Sequence, residues 1–177
     1  MDETKNYAAP VLAAIIEQVE HHKQRCIIIQ GEIGAGKTRL AERLVTKLRK
    51  RGLKVGGIIS PRILDGEDTI GYRVLDIETG KEVPFATLNP PGVSIGKFYL
   101  SEDAIAFARA AIESAIATDQ IVFLDEVGRL ELDGKGHADA LRMLLRSGAI
   151  PVLFVRTKFV EAVVEKFAIA DYASFPA

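Results

Sequence analysis

Cysteine is scarce in this chain of 177 residues: Cys26 stands alone, so no disulfide within the chain holds the fold. It lies in an apolar run and reads as a small buried core side chain. Long hydrophobic runs are missing too. The longest, Ala8 to Ile16 broken by Pro10 and Ala149 to Val155, fall far short of the roughly 18 residues that cross a bilayer, so no membrane span is expected. No basic segment followed by an apolar stretch and a cleavage site opens the chain, which sets a cytoplasmic location as the expectation. Excess charge of one sign is also lacking. With 23 basic residues against 24 acidic and a formal net charge of -1, nothing draws the whole molecule to nucleic acid or anionic lipid; such partners would need a local patch. His21, His22 and His137 lack the Cys/His ligand set of a structural zinc site.

What is present is the composition of a soluble globular protein, 27% charged and rich in aliphatics. The length suits one domain over residues 1–177, with residues 1–24 as an N-terminal helical extension. No repeat, low-complexity tract or linker divides it. Val11, Leu12, Ile15, Ile16 and Val19 mark a helix over 8–20, expected to pack on a sheet edge. Cys26 to Ile29 reads as the first strand, followed by a glycine-rich turn and a helix from about Gly36 to Arg51. Lys54 to Ser60 is a second strand closed by Pro61. Tyr72 to Ile77 and Glu82 to Ala86, separated by Glu78-Thr79-Gly80, predict an antiparallel hairpin. Ser101 caps a helix running to about Thr118, with Glu102 and Asp103 in its first turn. Ile121 to Leu124 is a buried strand. Residues 137–147 form a helix, Ile150 to Val155 a strand, and Phe159 to Phe167 a final long helix. This alternation predicts an α/β fold of three layers: a mostly parallel central sheet, helices on both faces and a β-hairpin insertion.

Gly31-Glu32-Ile33-Gly34-Ala35-Gly36-Lys37-Thr38 fills every fixed position of GxxxxGK(S/T), directly after a strand and opening a helix. Such a loop wraps a polyphosphate in consecutive backbone N–H groups, helped by the positive end of the helix dipole. Lys37 can bridge the β- and γ-phosphates as a point charge, and the Thr38 hydroxyl can ligate Mg²⁺. Asp125 and Glu126 then stand where the apolar strand Ile121 to Leu124 emerges, on the edge at which α/β sheets bind ligands. Asp125 would hold the metal, and Glu126 would orient or deprotonate an attacking water.

The run Asp125-Glu126-Val127-Gly128-Arg129-Leu130-Glu131-Leu132 resembles a DEIGKMEL-like segment of the cancer-related nucleoside triphosphatase family, which has many thermophile members. Gly56-Gly57-Ile58-Ile59 with Arg62, Gly71-Tyr72-Arg73-Val74 and Gly96-Lys97-Phe98-Tyr99 resemble that family's other landmarks, in the same order, over roughly residues 25–170. The resemblance implies a RecA-like P-loop fold and slow hydrolysis of several nucleoside triphosphates with little base preference. Arg129 replaces the usual lysine, Val127 replaces isoleucine, and the helix before Cys26 looks like an addition.

Arg129 could reach the γ-phosphate and stabilise charge developing in transfer, or pair with Glu131 on the surface. Arg156, at the end of the last expected strand, could act in cis at the phosphates or stay solvated. Arg62 and Arg73 could touch ribose or phosphate from the hairpin, though exposed hairpin charge explains them equally well. Arg39 opens a basic run with Arg43, Lys47, Arg49, Lys50 and Arg51 that fits a solvated helix better than a nucleic-acid face. The nucleotide-binding set is thus Gly31 to Thr38 with Arg39 and Arg156; the catalytic set is Lys37, Glu126 and Arg129; the Mg²⁺ set is Thr38 and Asp125. Hydrolysis of triphosphates is the reading these residues favour. A nucleotide or small-molecule kinase is the runner-up, although a water-activating Glu126 would be a hazard there. A nucleotide-dependent switch acting on a protein or RNA partner is the third.

Overall fold

The computed structural model describes residues 7–177. In chain order its elements are α1 (Ala8–Glu20), β1 (Cys26–Gln30), α2 (Lys37–Arg49), β2 (Val55–Ile59), β3 (Arg62–Asp65), β4 (Asp68–Asp76), β5 (Glu82–Thr87), β6 (Val93–Ile95) and β7 (Phe98–Leu100). There follow α3 (Glu102–Thr118), β8 (Ile121–Val127), α4 (Arg129–Leu132), α5 (Ala138–Arg146), β9 (Ile150–Val155), α6 (Val160–Lys166) and β10 (Tyr172–Pro176). Residues 1–6, the start of the expected N-terminal extension, lie outside the described residues.

β1, β8 and β9 are apolar from Cys26 to Ile29, Ile121 to Leu124 and Ile150 to Val155, the composition of strands buried on both faces, with polar residues only toward the C-terminal ends of β1 and β8. They form the middle of a parallel sheet ordered β10-β1-β9-β8-β2. Side-chain alternation sorts their residues between two cores. Ile27 and Ile29 meet Leu40, Leu44 and Leu48 of α2 on one face, while Ile28 meets the cluster of Ile112, Leu141 and Val163 on the other. Each such aliphatic, fully buried, contributes about 1.5–3 kcal/mol relative to exposure. Gly56 and Gly57 let β2 sit tightly between α3 and β8. A Cβ on Gly56 would lie 2.7 Å from that of Ala115, and one on Gly57, at φ 92°, would lie 2.1 Å from the Phe123 carbonyl oxygen.

Beyond β2 the sheet continues antiparallel as β4-β5-β7-β6, with β3 paired to β4. The hairpin expected from Glu78-Thr79-Gly80 is therefore the centre of a five-stranded extension. Ser101 caps α3 as expected, its hydroxyl accepting from the Ala104 N–H at 3.2 Å.

Three expectations need correction. The N-terminal helix is not confined to the sheet edge: it lies over β10 at that edge and over β1 and β9 inside it. Val11, Leu12 and Ile15 of α1 are buried beside α2 against Ile27, Ile29 and Phe154, so it covers a face of the sheet. The final long helix is only the seven residues of α6, preceded by a 3-10 turn at Thr157–Phe159; the apolar Phe159 and Phe167 flank it instead of extending it. β9 is not the last strand either, because β10 returns alongside β1 at the edge. Among the described residues, no helix is long and apolar enough to cross a membrane.

Candidate active site

Parallel strands bring their C-terminal ends to one edge, and there the topology gathers residues distant in sequence. Gly31 follows β1, Ser60 follows β2, Asp125 and Glu126 lie near the end of β8, and Arg156 follows β9. β9 lies between the phosphate-loop strand and the acidic strand, so the loop reaches the acids across one intervening strand.

The loop is shaped by backbone conformation. Gly36 caps α2 with φ 91°, a left-handed geometry that an L side chain would strain. Glu32, Ile33, Gly34 and Ala35 are exposed, leaving the turn open to a ligand. Lys37 is buried, and its Nζ donates to the carbonyl oxygens of Gly31 at 2.7 Å and Glu32 at 2.8 Å, so the ammonium is held across the mouth of the loop. Burial lowers its pKa, and the carboxylates of Glu126 and Asp125 oppose that shift.

The Thr38 hydroxyl donates to Asp125 Oδ2 at 3.1 Å, joining loop and acidic strand directly. Asp125 is fully buried and accepts from the Ser60 N–H at 3.0 Å on Oδ2 and from the Glu126 N–H at 2.8 Å on Oδ1. Burial first, then repulsion from Glu126, raises its pKa, against the pull of these donors. Thr38 and Asp125 are oxygen donors of the type hard divalent cations take. The Ser60 Oγ beside them is buried and has no protein partner. Among the described residues no group of three or more His, Cys, Asp or Glu could enclose a metal. A cation here would complete its shell with phosphate oxygens and water, as magnesium does.

Glu126 departs from strand geometry at φ 58° while β8 continues to Val127, past the expected end at Leu124. This left-handed kink costs a non-glycine residue of order 1 kcal/mol and turns Glu126 out of the buried alternation. The register of β8 with β9 shifts at the same point.

The remaining sequence candidates divide. Arg156 is half-buried, and its charge acts on both Lys37 and Tyr72, so it belongs to this edge. Arg129 is 84% exposed and its ion pair is with Asp133 at 3.9 Å, not with Glu131. Arg39 is exposed on α2. Arg73 pairs with Glu82 at 3.4 Å, and Arg62 reaches Thr69 at 3.5 Å while its charge also acts on Tyr72.

Two residues of the edge escaped the sequence reading. Ser60 was visible only as the end of a strand before Pro61. Glu131 is buried within the Asp125-to-Leu132 motif. Its Oε2 accepts from the Gly128 N–H at 2.8 Å and its Oε1 from the His137 N–H at 2.9 Å, so one carboxyl closes the loop around α4 behind Glu126. Burial raises its pKa to about 7. The acid at the fourth place of a helix start was the available signal.

Comparison with known proteins agrees with this geometry. A family model described as NTPase matches residues 26–173, leaving α1 outside it. The nucleoside-triphosphatase THEP1 of Thermococcus kodakarensis is 31% identical over 140 residues, covering 76% of this chain and 78% of that protein. Its counterpart in Korarchaeum cryptofilum is 33% identical over 132 residues, covering 73% and 68%. The solution structure of a human cancer-related nucleoside triphosphatase superposes with a TM-score of 0.71 at 21% identity, over 86% of this chain and 88% of that one. The crystal structure of THEP1 from Aquifex aeolicus gives 0.67 at 22%, over 85% and 87%. The fold is that of the P-loop NTPases, and the chain belongs to the NTPase family.

Proposed function

We propose that this protein is a cytoplasmic nucleoside-triphosphatase of one domain, with α1 as an extension of it, that uses Mg²⁺ to hydrolyse nucleoside triphosphates to nucleoside diphosphate and phosphate. The observation that carries the reading is the 3.1 Å hydrogen bond from Thr38 to the buried Asp125, which sets a phosphate loop against an acidic strand end, with Glu126 next in the chain. Lys37, Thr38 and the N–H groups of residues 31–36 would bind the phosphates, with Arg39 at the flank. Lys37 exchanges its two carbonyl acceptors for phosphate oxygens and neutralises the transferring group. Glu126 orients the attacking water and takes its proton, as the nucleoside diphosphate departs from the γ-phosphorus. Arg156, and Arg129 on swinging from its weak pair, stabilise charge on the equatorial oxygens. Mg²⁺, held by Thr38 and Asp125, would neutralise the β- and γ-phosphates. Low base selectivity fits a loop that reads phosphates through its backbone, because every nucleoside triphosphate presents the same phosphates.

Phosphate release from ATP, GTP, CTP and UTP, with and without Mg²⁺, tests the reading. Release from all four that requires Mg²⁺ and falls at least about 100-fold in Glu126→Gln is expected, the usual range for losing a general base. Unchanged release in that variant would remove Glu126 from the chemistry. Release without Mg²⁺ would remove the metal.

A further inference from the structure

Beside Glu126 lies a cavity of about 400 Å³, within the range of small-molecule sites, whose aromatic walls the hydrolytic reading leaves unused. Its walls come from opposite sides of β8. Tyr72 of β4 and Phe98 of β7 form one, their rings edge to face at 5.6 Å and 80°. Phe159, in the turn after β9, forms the other. Each wall carries a lysine over its ring: Lys97 Nζ is 5.1 Å from the Phe98 centroid, and Lys158 Nζ is 5.0 Å from that of Phe159. Arg129 and Arg156 add two further cations at the lining. The acids there are Glu126 and the buried Glu131, whose oxygens are both engaged by backbone N–H groups.

Aromatic surfaces on two sides with cations beside both match a ligand with a flat ring and an anionic group. On the proposed placement the triphosphate's own base does not enter this cavity. With the terminal phosphate at Glu126, the nucleoside lies at the other end of the phosphate chain, away from this cavity. We propose that the cavity is a second-ligand site for a mononucleotide, a ring seated between Phe98 and Phe159 with its phosphate on Lys158, bound while the phosphate loop is occupied. This rests on the proposed placement of the triphosphate.

Isothermal titration of AMP, GMP, CMP and UMP into protein saturated with ADP and Mg²⁺ tests it, after ADP binding has been measured alone. At least one monophosphate should bind the ADP-loaded protein. Phe98→Ala and the exposed-site variant Lys158→Glu should each weaken that binding about tenfold or more, the loss expected for a base-stacking surface, and leave ADP affinity within about twofold. Binding that ADP abolishes, binding indifferent to both substitutions, or none of the four binding would overturn the second site. Absence of ADP binding in the first titration would overturn the triphosphate placement instead, so the two failures are distinguishable.

Discussion

Glu126 combines a proposed catalytic role with an unfavourable backbone, and the two can be separated by substitution. At φ 58° it occupies the left-handed region, which costs an L residue about 1–2 kcal/mol. Glycine removes that cost but adds about 0.4–1 kcal/mol of unfolded-state entropy, so Glu126→Gly should gain about 0.5–1 kcal/mol from the backbone. Glu126→Gln is the control. Both substitutions delete the carboxylate that pushes up the pKa of the buried Asp125, so both relieve the same repulsion, and their difference isolates the backbone. For a chain of this size the glycine variant should melt about 1–4 °C above the glutamine variant in a thermal scan. Both should lose turnover by about 10²–10⁴-fold. A glycine variant that melts at or below the glutamine variant would refute the idea that strain is stored at this residue.

His137 gives a pH-dependent prediction. Buried against Phe85 at 5.1 Å with Nε2 unpartnered, it has its pKa lowered from 6.5 to about 4 by burial. The unfolded chain therefore takes up a proton below about pH 6.5 that the folded chain refuses until about pH 4, and stability is lost as pH falls through that window. Glu131, raised from 4.5 to about 7, acts in the opposite sense, its penalty easing as pH falls from about 7 to 4.5, which masks the histidine in the wild type. His137→Phe keeps the ring and the backbone donor to Glu131. Relative to wild type, urea melts should show it gaining about 2 kcal/mol more at pH 5 than at pH 7.5, and a pH-independent difference would contradict the assigned burial. At Gly57, alanine would meet the Phe123 carbonyl oxygen at 2.1 Å. Gly57→Ala should cost more than about 4 kcal/mol or prevent folding, and a soluble variant with wild-type denaturation midpoint would show that β2 and β8 are spaced otherwise.

The parts legible in the sequence were those whose cause is local. The phosphate loop carries its own glycines, Lys37 and Thr38, and Glu78-Thr79-Gly80 announces its hairpin. The strand at Ile121 could be read from continuous apolar content, and α3 from Ser101. What escaped depends on contacts between distant segments. β10 is short and ends in Pro176, a sequence that pairs as a strand only because β1 offers it an edge. β3 and β6 are largely exposed and show no alternation. Phe159 and Phe167 sit at helical spacing around α6, yet one faces the cavity by Glu126 and the other the opposite end of the sheet beside Cys26. Ser60 and Asp125 are 65 residues apart and meet only because β2 lies next to β8. The inward turn of Glu131 requires the short helix α4, which hydrophobic periodicity is too coarse to detect over four residues.

Capture of a triphosphate by the loop around Lys37 is the step on which the other functional statements depend. Calorimetric titration of a non-hydrolysable ATP analogue with Mg²⁺ into the wild type and into Lys37→Ala measures it. Uptake of one equivalent by the wild type, weakened about 10–100-fold by the substitution, is the loss expected for a charge-assisted hydrogen-bonding group. No uptake by the wild type, or equal affinity in both proteins, would show that the phosphates bind elsewhere or not at all.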